Sequence, residues 1–324
     1  MGRYECVVIG GGPAGLQAAL LMARGGTRAI VYDSGTARHL ASAESHSFLA
    51  ADGMPPAELR RRGREQLKPY GTVGFRDATV ERVEPRLEGG FRVSIAGEND
   101  AVTTRFVLLA TGVRDVPLAI PGFDDFWGTS ILHCPYCHGW ESRGLELGVL
   151  LFDEEMVDLA HKVTWWSRDV IVFVSPDLDL RPESSARLRK LDVAIETRRV
   201  RRFVGDAKAR RLDAIELWDG TLVPRAAVYY RPKQRQAALV EALGSSLDLR
   251  LDAGGLVQVD DGQQTSVPGL YAAGDLTTAY QQIAEAARQG HRAASSIEHA
   301  LKVDGRPADA AASGPWARDG DDLG

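Results

Sequence analysis

The chain has 324 residues, 44% of them hydrophobic and 26% charged, and its 39 Lys+Arg against 44 Asp+Glu leave a formal net charge of −5. That length is about twice an ordinary domain and predicts two domains that bury their own cores without disulfide or metal staples. The composition excludes global disorder, and the cations gather into no basic stripe of the kind a nucleic-acid surface needs. The longest uncharged run, Cys6 to Ala23, carries Gly10-Gly11-Gly12-Pro13 inside it and is too short and too broken to cross a bilayer. The N-terminus lacks the pattern of a secretory leader, so a cytoplasmic enzyme is expected, with neither nucleic acid nor membrane as partner.

In chain order, Val7-Val8-Ile9 reads as a buried strand, with Cys6 beside it as an inert core residue. Gly10-x-Gly12-Pro13-Ala14-Gly15 follows as a tight turn, then an apolar helix from Leu16 to Ala23, a strand from Arg28 to Tyr32, and Asp33 at its end. Gly10 allows the turn, Gly12 lets a pyrophosphate reach the backbone, and Gly15 lets helix and strand pack closely. The free N–H groups of the helix N-terminus attract phosphate, and Asp33 is placed to accept hydrogen bonds from a ribose. Strand, turn, helix, second strand and terminal acid together predict a dinucleotide site.

Towards the other end of the chain, Val267-Pro-Gly-Leu-Tyr-Ala-Ala-Gly274-Asp275 is followed by Tyr280-Gln281-Gln282-Ile283 and a helix-like run from Ala284 to Ala294. With these motifs the chain resembles the flavoprotein disulfide reductases of the low-molecular-weight thioredoxin reductase type. The resemblance implies an α/β fold of two Rossmann-like domains. A discontinuous FAD domain, residues 1–115 and 235–305, would carry an inserted NADPH-type domain at 116–234, followed by a flexible tail at 306–324. It also implies FAD as cofactor, with Asp275 on the ribityl chain and Gln282 and Ile283 opening a helix against the flavin ring. Ala110-Thr111-Gly112 would form the crossover segment and Thr79-Val80 the adenine contact. A homodimer is implied as well.

Mid-chain stands His133-Cys134-Pro135-Tyr136-Cys137-His138-Gly139-Trp140-Glu141. Cys-x-x-Cys-His is formally a haem-attachment pattern, but that chemistry normally follows export. Zinc would want a second ligand pair, which only His133 and His138 could supply. A redox-active dithiol suits a reducing compartment best. A helix starting at Pro135 would put Cys134 near its N-cap, where the dipole favours thiolate. By the resemblance, Cys134 is the interchange thiol and Cys137 the flavin-proximal one. Thioredoxin reductases place an acid–base Asp after the pair. Here it is His138, which titrates near neutrality, and His133 flanks the other side.

Residues 33–53 sharpen the resemblance. Asp33-Ser34-Gly-Thr-Ala-Arg38-His39, His46-Ser-Phe48-Leu49 and Asp52-Gly53, with Cys-Pro-Tyr-Cys-His-Gly-Trp-Glu, are similar to the thioredoxin-reductase-like dithiol oxidases. Those enzymes close the disulfides of gliotoxin-, holomycin- and romidepsin-type metabolites. Ser34, Arg38, His39 and His46 are thereby expected around the cofactor. One position departs, since the group typically has Asn where this chain has His39.

The insert retains a strand at 148–152, a helix at 155–163 and a strand at 170–174. Its turn, however, is Phe152-Asp153-Glu154-Glu155, with no glycine to admit a pyrophosphate. Its carboxylates are expected on the helix N-terminus, and Ser175 to Asp179 lacks arginines for a 2′-phosphate. If NADPH does not bind, a small-molecule dithiol must reduce Cys134–Cys137 and then FAD, with O2 as acceptor giving H2O2. The alternatives are an NADPH-dependent disulfide reductase, an enzyme using a ferredoxin-like partner, and a non-catalytic flavoprotein. Arg198-Arg199-Val200-Arg201-Arg202 is expected to be a solvated edge, and Trp165-Trp166 to pack at a domain or subunit contact.

Overall fold

The computed structural model describes residues 3–303; the tail expected at 306–324 lies outside them. The chain divides into two compact units. One comprises the residues up to Ala37, Arg62–Gly112 and those from Ala237 on; the other comprises Arg38–Arg61 and Val113–Gln236. Residues 38–61, which sequence order places in the first half of the FAD domain, therefore cluster with the insert.

The first unit is built on a parallel sheet. Strand β1 (Arg3–Ile9) pairs in parallel with β2 (Ala29–Asp33) on one side and Val102–Leu109 on the other. Val73–Asp77 adds to β2 and Leu270–Ala272 to Val102–Leu109, both parallel, while Phe91–Ile95 and Val80–Pro85 extend the sheet antiparallel. The Cys6 to Ile9 run is uniformly apolar because it is buried on both faces, as a central parallel strand requires. Helix α1 (Pro13–Gly25) opens with Pro at its first turn and closes on left-handed Gly26. The long helix Ile283–Val303 packs along α1 so closely that a Cβ on Gly290 would fall on the Ala14 carbonyl. Cys6 is free and fully buried, and burial pushes its thiol far above the ordinary range, as an inert core residue requires.

The second unit has an all-parallel sheet in the order Ala194–Glu196, Val170–Val174, Leu147–Leu151, Ala227–Tyr229, Ile131–Leu132. Beside it, Val200–Asp206, Arg211–Leu217 and Leu222–Pro224 form an antiparallel meander. The strands where the chain enters and leaves this unit, Val113–Asp115 and Gln234–Gln236, pair antiparallel. A separate core of Phe123, Phe126, Leu147, Leu150, Leu159, Phe173 and neighbours fills the unit. The arginine run is solvated but not free: Arg198 binds Glu196 and Asp219, Arg199 binds Asp177, and Arg201 and Arg202 both reach Glu216.

Candidate active site

Parallel strands deliver their loops to one edge, and in the first unit three such loops meet. The Gly10 N–H donates to the Tyr32 carbonyl, that of Ala110 to Ile9 and that of Ala273 to Leu109. The expected turn Gly10–Gly15, the crossover Ala110-Thr111-Gly112 and the pair Gly274-Asp275 thus share the carboxyl ends of adjacent strands, where open α/β sheets bind ligands. Gly10 has φ +115°, and a Cβ there would strike the Ala110 carbonyl; a Cβ on Gly15 would strike the Gly10 carbonyl. A Cβ on Gly12 would meet open space, so the cradle before α1 is clear. No side chain caps that helix end and its first turn holds no acid, which leaves its N–H groups and positive end for phosphate.

Asp33 lies against the turn, its carboxylate where a Gly11 side chain would be. It accepts hydrogen bonds from the Gly35 N–H at 3.1 Å and Arg64 at 2.8 Å. The Ala78 N–H donates to the Asp33 carbonyl, which draws the segment leading to buried Val80 beside the acid. Buried Gln289 pins Gly274, accepting from its N–H and from the Thr277 hydroxyl, both at 2.7 Å. Gln282 directly precedes the helix that Ile283 begins. These residues fit the pyrophosphate, ribose and adenine of one dinucleotide. Ser34 is exposed and exchanges a hydrogen bond with Thr36.

In the second unit Cys134 and Cys137 form a disulfide with Cα atoms 5.3 Å apart. Cys134 is the N-cap of a single helical turn, Pro135–His138, as the sequence predicted. One turn aligns few peptide dipoles, so its pull on a thiolate is modest. Ser142 anchors the turn, its hydroxyl bonded to the His138 carbonyl at 3.0 Å and the Tyr229 hydroxyl at 2.7 Å. Gly139 is small because the Trp166 ring occupies the space of a side chain there. Tyr136 stands edge-on to that ring at 5.8 Å. Trp165 is 80% exposed, and Tyr136 and Trp140, within and just after the Cys-x-x-Cys, are each more than half exposed.

His138 is held through Nε2, 2.9 Å from the Ser42 hydroxyl. That hydroxyl gives its one hydrogen to the Gly128 carbonyl at 3.1 Å, so it accepts from Nε2–H. The neutral ring therefore carries its lone pair on Nδ1, which is buried against the Cys134 backbone. Burial, then the charge of His46, pushes the His138 pKa down, and Glu141 and a hydrogen bond to the Cys134 backbone oppose them. His133 is depressed further, chiefly by burial and then by Arg38, and its ring lies 6.0 Å from that of Trp127. Both histidines flanking the pair are thus neutral near neutral pH.

The loop 38–54 brings the remaining expected residues. Arg38 makes a largely buried ion pair with Asp115 at 2.6 Å, and Gln234 also binds that carboxylate at 3.1 Å. His39 sits in the 3₁₀ turn Arg38–Ala41, where its carbonyl accepts the Ser42 N–H. His46 faces Glu44, Asp52 and Glu141 at 3.5, 3.6 and 3.7 Å, and its ring lies edge-on to His138 at 6.4 Å. The sequence pattern places His46 with the expected cofactor residues and marks no role for Ser42, Asp52 or Glu141. Only the position of Glu141, three residues after His138, offered a signal. Among the described residues no three His, Cys, Asp or Glu side chains gather as a metal ion needs.

In the insert's βαβ, strand Leu147–Leu151 leads to a 3₁₀ turn at Glu154–Met156 and then the helix Val157–Val163. Glu154 and Glu155 stand in the first turn of that start. The Glu154 carboxylate binds the backbone N–H of Arg181, the Arg181 guanidinium and the Ser184 hydroxyl at the start of the next helix, and these contacts hold its pKa down. Asp153 keeps one buried oxygen without a hydrogen bond, a poor neighbour for phosphate. No glycine occurs from Phe152 to Met156 to open a cradle.

A family model described as pyridine nucleotide-disulphide oxidoreductase matches residues 4–290. The chain is 33% identical over 309 residues to the thioredoxin reductase tcpT of Claviceps purpurea, covering 93% of this chain and 95% of that protein. It is 27% identical over 311 residues to the thioredoxin reductase sirT of Leptosphaeria maculans, covering 91% and 93%. Among solved structures, HlmI matches with a TM-score of 0.85 at 35% identity, covering 93% of each chain. The putative thioredoxin reductase TrxB from Bacillus anthracis matches at 0.86 and 28%, covering 93% and 99%.

Proposed function

Because the chain belongs to the pyridine nucleotide-disulphide oxidoreductase family, we propose that it is an FAD-dependent dithiol oxidase that closes a disulfide in a small-molecule dithiol, with O2 as electron acceptor. The observation that carries this is the contrast between two turns of one chain. The first βαβ has an open glycine cradle, whereas the second has carboxylates and a Glu154 tied to Ser184 and Arg181. Among the described residues the first turn alone offers such a cradle, which leaves NADPH without a comparable seat as reductant.

Gly10 to Gly15, Asp33, Val80, Ala110 to Gly112, Gly274, Asp275, Gln282 and Ile283 would hold FAD. When bound, FAD supplies the two-electron acceptor that restores the Cys134–Cys137 disulfide, and O2 leaves as H2O2. The chain's own residues perform the thiol chemistry. His138 takes the proton of a substrate thiol, and the resulting thiolate attacks Cys134 Sγ. The Cys134–Cys137 bond breaks and Cys137 departs as thiolate. The second substrate thiol, once deprotonated, attacks the substrate sulfur of the mixed disulfide. Cys134 leaves, and the product carries the new S–S bond. The exposed rings of Tyr136 and Trp140 favour an apolar or aromatic substrate frame.

Relatives named thioredoxin reductase keep a second reading open, in which the same exchange runs backward from NADPH to a disulfide. Aerobic turnover of dithiothreitol tests the first reading. One H2O2 per disulfide formed, abolished in Cys137→Ser, is the expected result. Disulfide formation without peroxide, or an unchanged rate in Cys137→Ser, would reject it.

A further inference from the structure

Oxidising a dithiol releases two protons, and His138 can hold one of them. The structure supplies a second imidazole beside it. His46 stands edge-on to His138 with ring centroids 6.4 Å apart, and only 13% of its side chain is exposed. Its Nε2 faces Glu44 at 3.5 Å and Glu141 at 3.7 Å, and its Nδ1 faces Asp52 at 3.6 Å. Among the described residues these three carboxylates are the ion partners of His46, and all three reach solvent. The Ser47 N–H donates to Asp52 at 2.8 Å and the Ser47 hydroxyl donates to the Tyr136 carbonyl at 3.3 Å, which fixes the loop against the dithiol turn. Around His138 the charged or titratable groups are His46, Glu141 and His133.

We propose that His46 is the second proton-accepting group of the dithiol site, with Glu141 as the counter-charge that it shares with His138. The proposal rests on the dithiol-oxidase reading and extends it. The substrate dithiol loses two electrons to the Cys134–Cys137 bond and two protons, one to His138 and one to His46. Both cysteines are then left as thiolates, the form that exchanges electrons. The three carboxylates at 3.5, 3.6 and 3.7 Å face both ring nitrogens, so a proton received at His46 meets a counter-charge at either atom. Glu141, near both rings, is a positioning residue for that charge.

The test is an anaerobic reaction of the FAD-loaded protein with one equivalent of dithiothreitol in weak buffer, following proton release with an indicator dye across neutral pH. One equivalent supplies two electrons, so flavin bleaching and titration of the freed Cys134 and Cys137 thiols report how they divide between FAD and the disulfide, and the two together report completion. In His46→Gln, complete reduction releases up to about one more proton to solvent than in the wild type, and it is slower by about tenfold. Glu141→Gln moves proton release in the same direction, and it decides the matter if His46→Gln does not fold. Equal proton release from wild type and both variants, with reduction complete in each, would overturn the role of His46. Failure of dithiothreitol to reduce even the wild type would instead count against the dithiol-oxidase reading.

Discussion

At the scale of single residues, the two histidines flanking the disulfide link chemistry to stability. Burial depresses both, so the folded chain refuses protons that the unfolded chain accepts near its ordinary histidine value of 6.5. Their stabilising contribution is therefore present above that value and is lost as pH falls through it towards the folded pKa. The melting temperature should drop by about a few degrees between about pH 7.5 and about pH 5.5, and by less in His133→Gln. An identical drop in both proteins would mean that His133 protonates freely in the fold. Cys134, Cys137 and both histidines were legible because the whole motif is contiguous. Ser42 was not, because 96 positions separate it from His138 and no local pattern marks a hydroxyl that fixes a distant tautomer.

At the scale of elements, glycines have two separable tasks. Gly290 admits the Ala14 carbonyl between α1 and the helix Ile283–Val303, whereas Gly12 faces open space at the phosphate cradle. Gly290→Ala should lower the denaturant midpoint by an amount worth about 1–3 kcal/mol. Gly12→Ala should leave the midpoint nearly unchanged and weaken FAD retention. The opposite pattern would show that the cradle has been placed at the wrong turn. The strand–turn–helix–strand order at 6–33 was readable because periodicity, glycine spacing and the closing acid agree. The place of Glu154 at a helix start was foreseeable and its partners were not. Ser184 lies 30 residues on and Arg181 27, each reached only after the intervening strand has returned the chain.

At the scale of the molecule, the two-unit division was foreseeable from length and from the interruption of one nucleotide-binding pattern by another. Residues 38–61 are the exception, since their tie to the insert depends on side-chain contacts such as Arg38–Asp115 that hydropathy does not encode. On the proposed reading, with a dinucleotide cradle at Gly10 to Gly15 and a redox role for Cys134–Cys137, this molecule should draw electrons from sulfur. An anaerobic stopped-flow comparison puts the FAD-loaded protein against dithiothreitol in one mixing experiment and against NADPH at equal concentration in another. Prompt loss of flavin absorbance with the dithiol, and none with NADPH on the same timescale, is the predicted outcome. Bleaching by NADPH as fast as by the dithiol would contradict it and reverse the direction of electron flow.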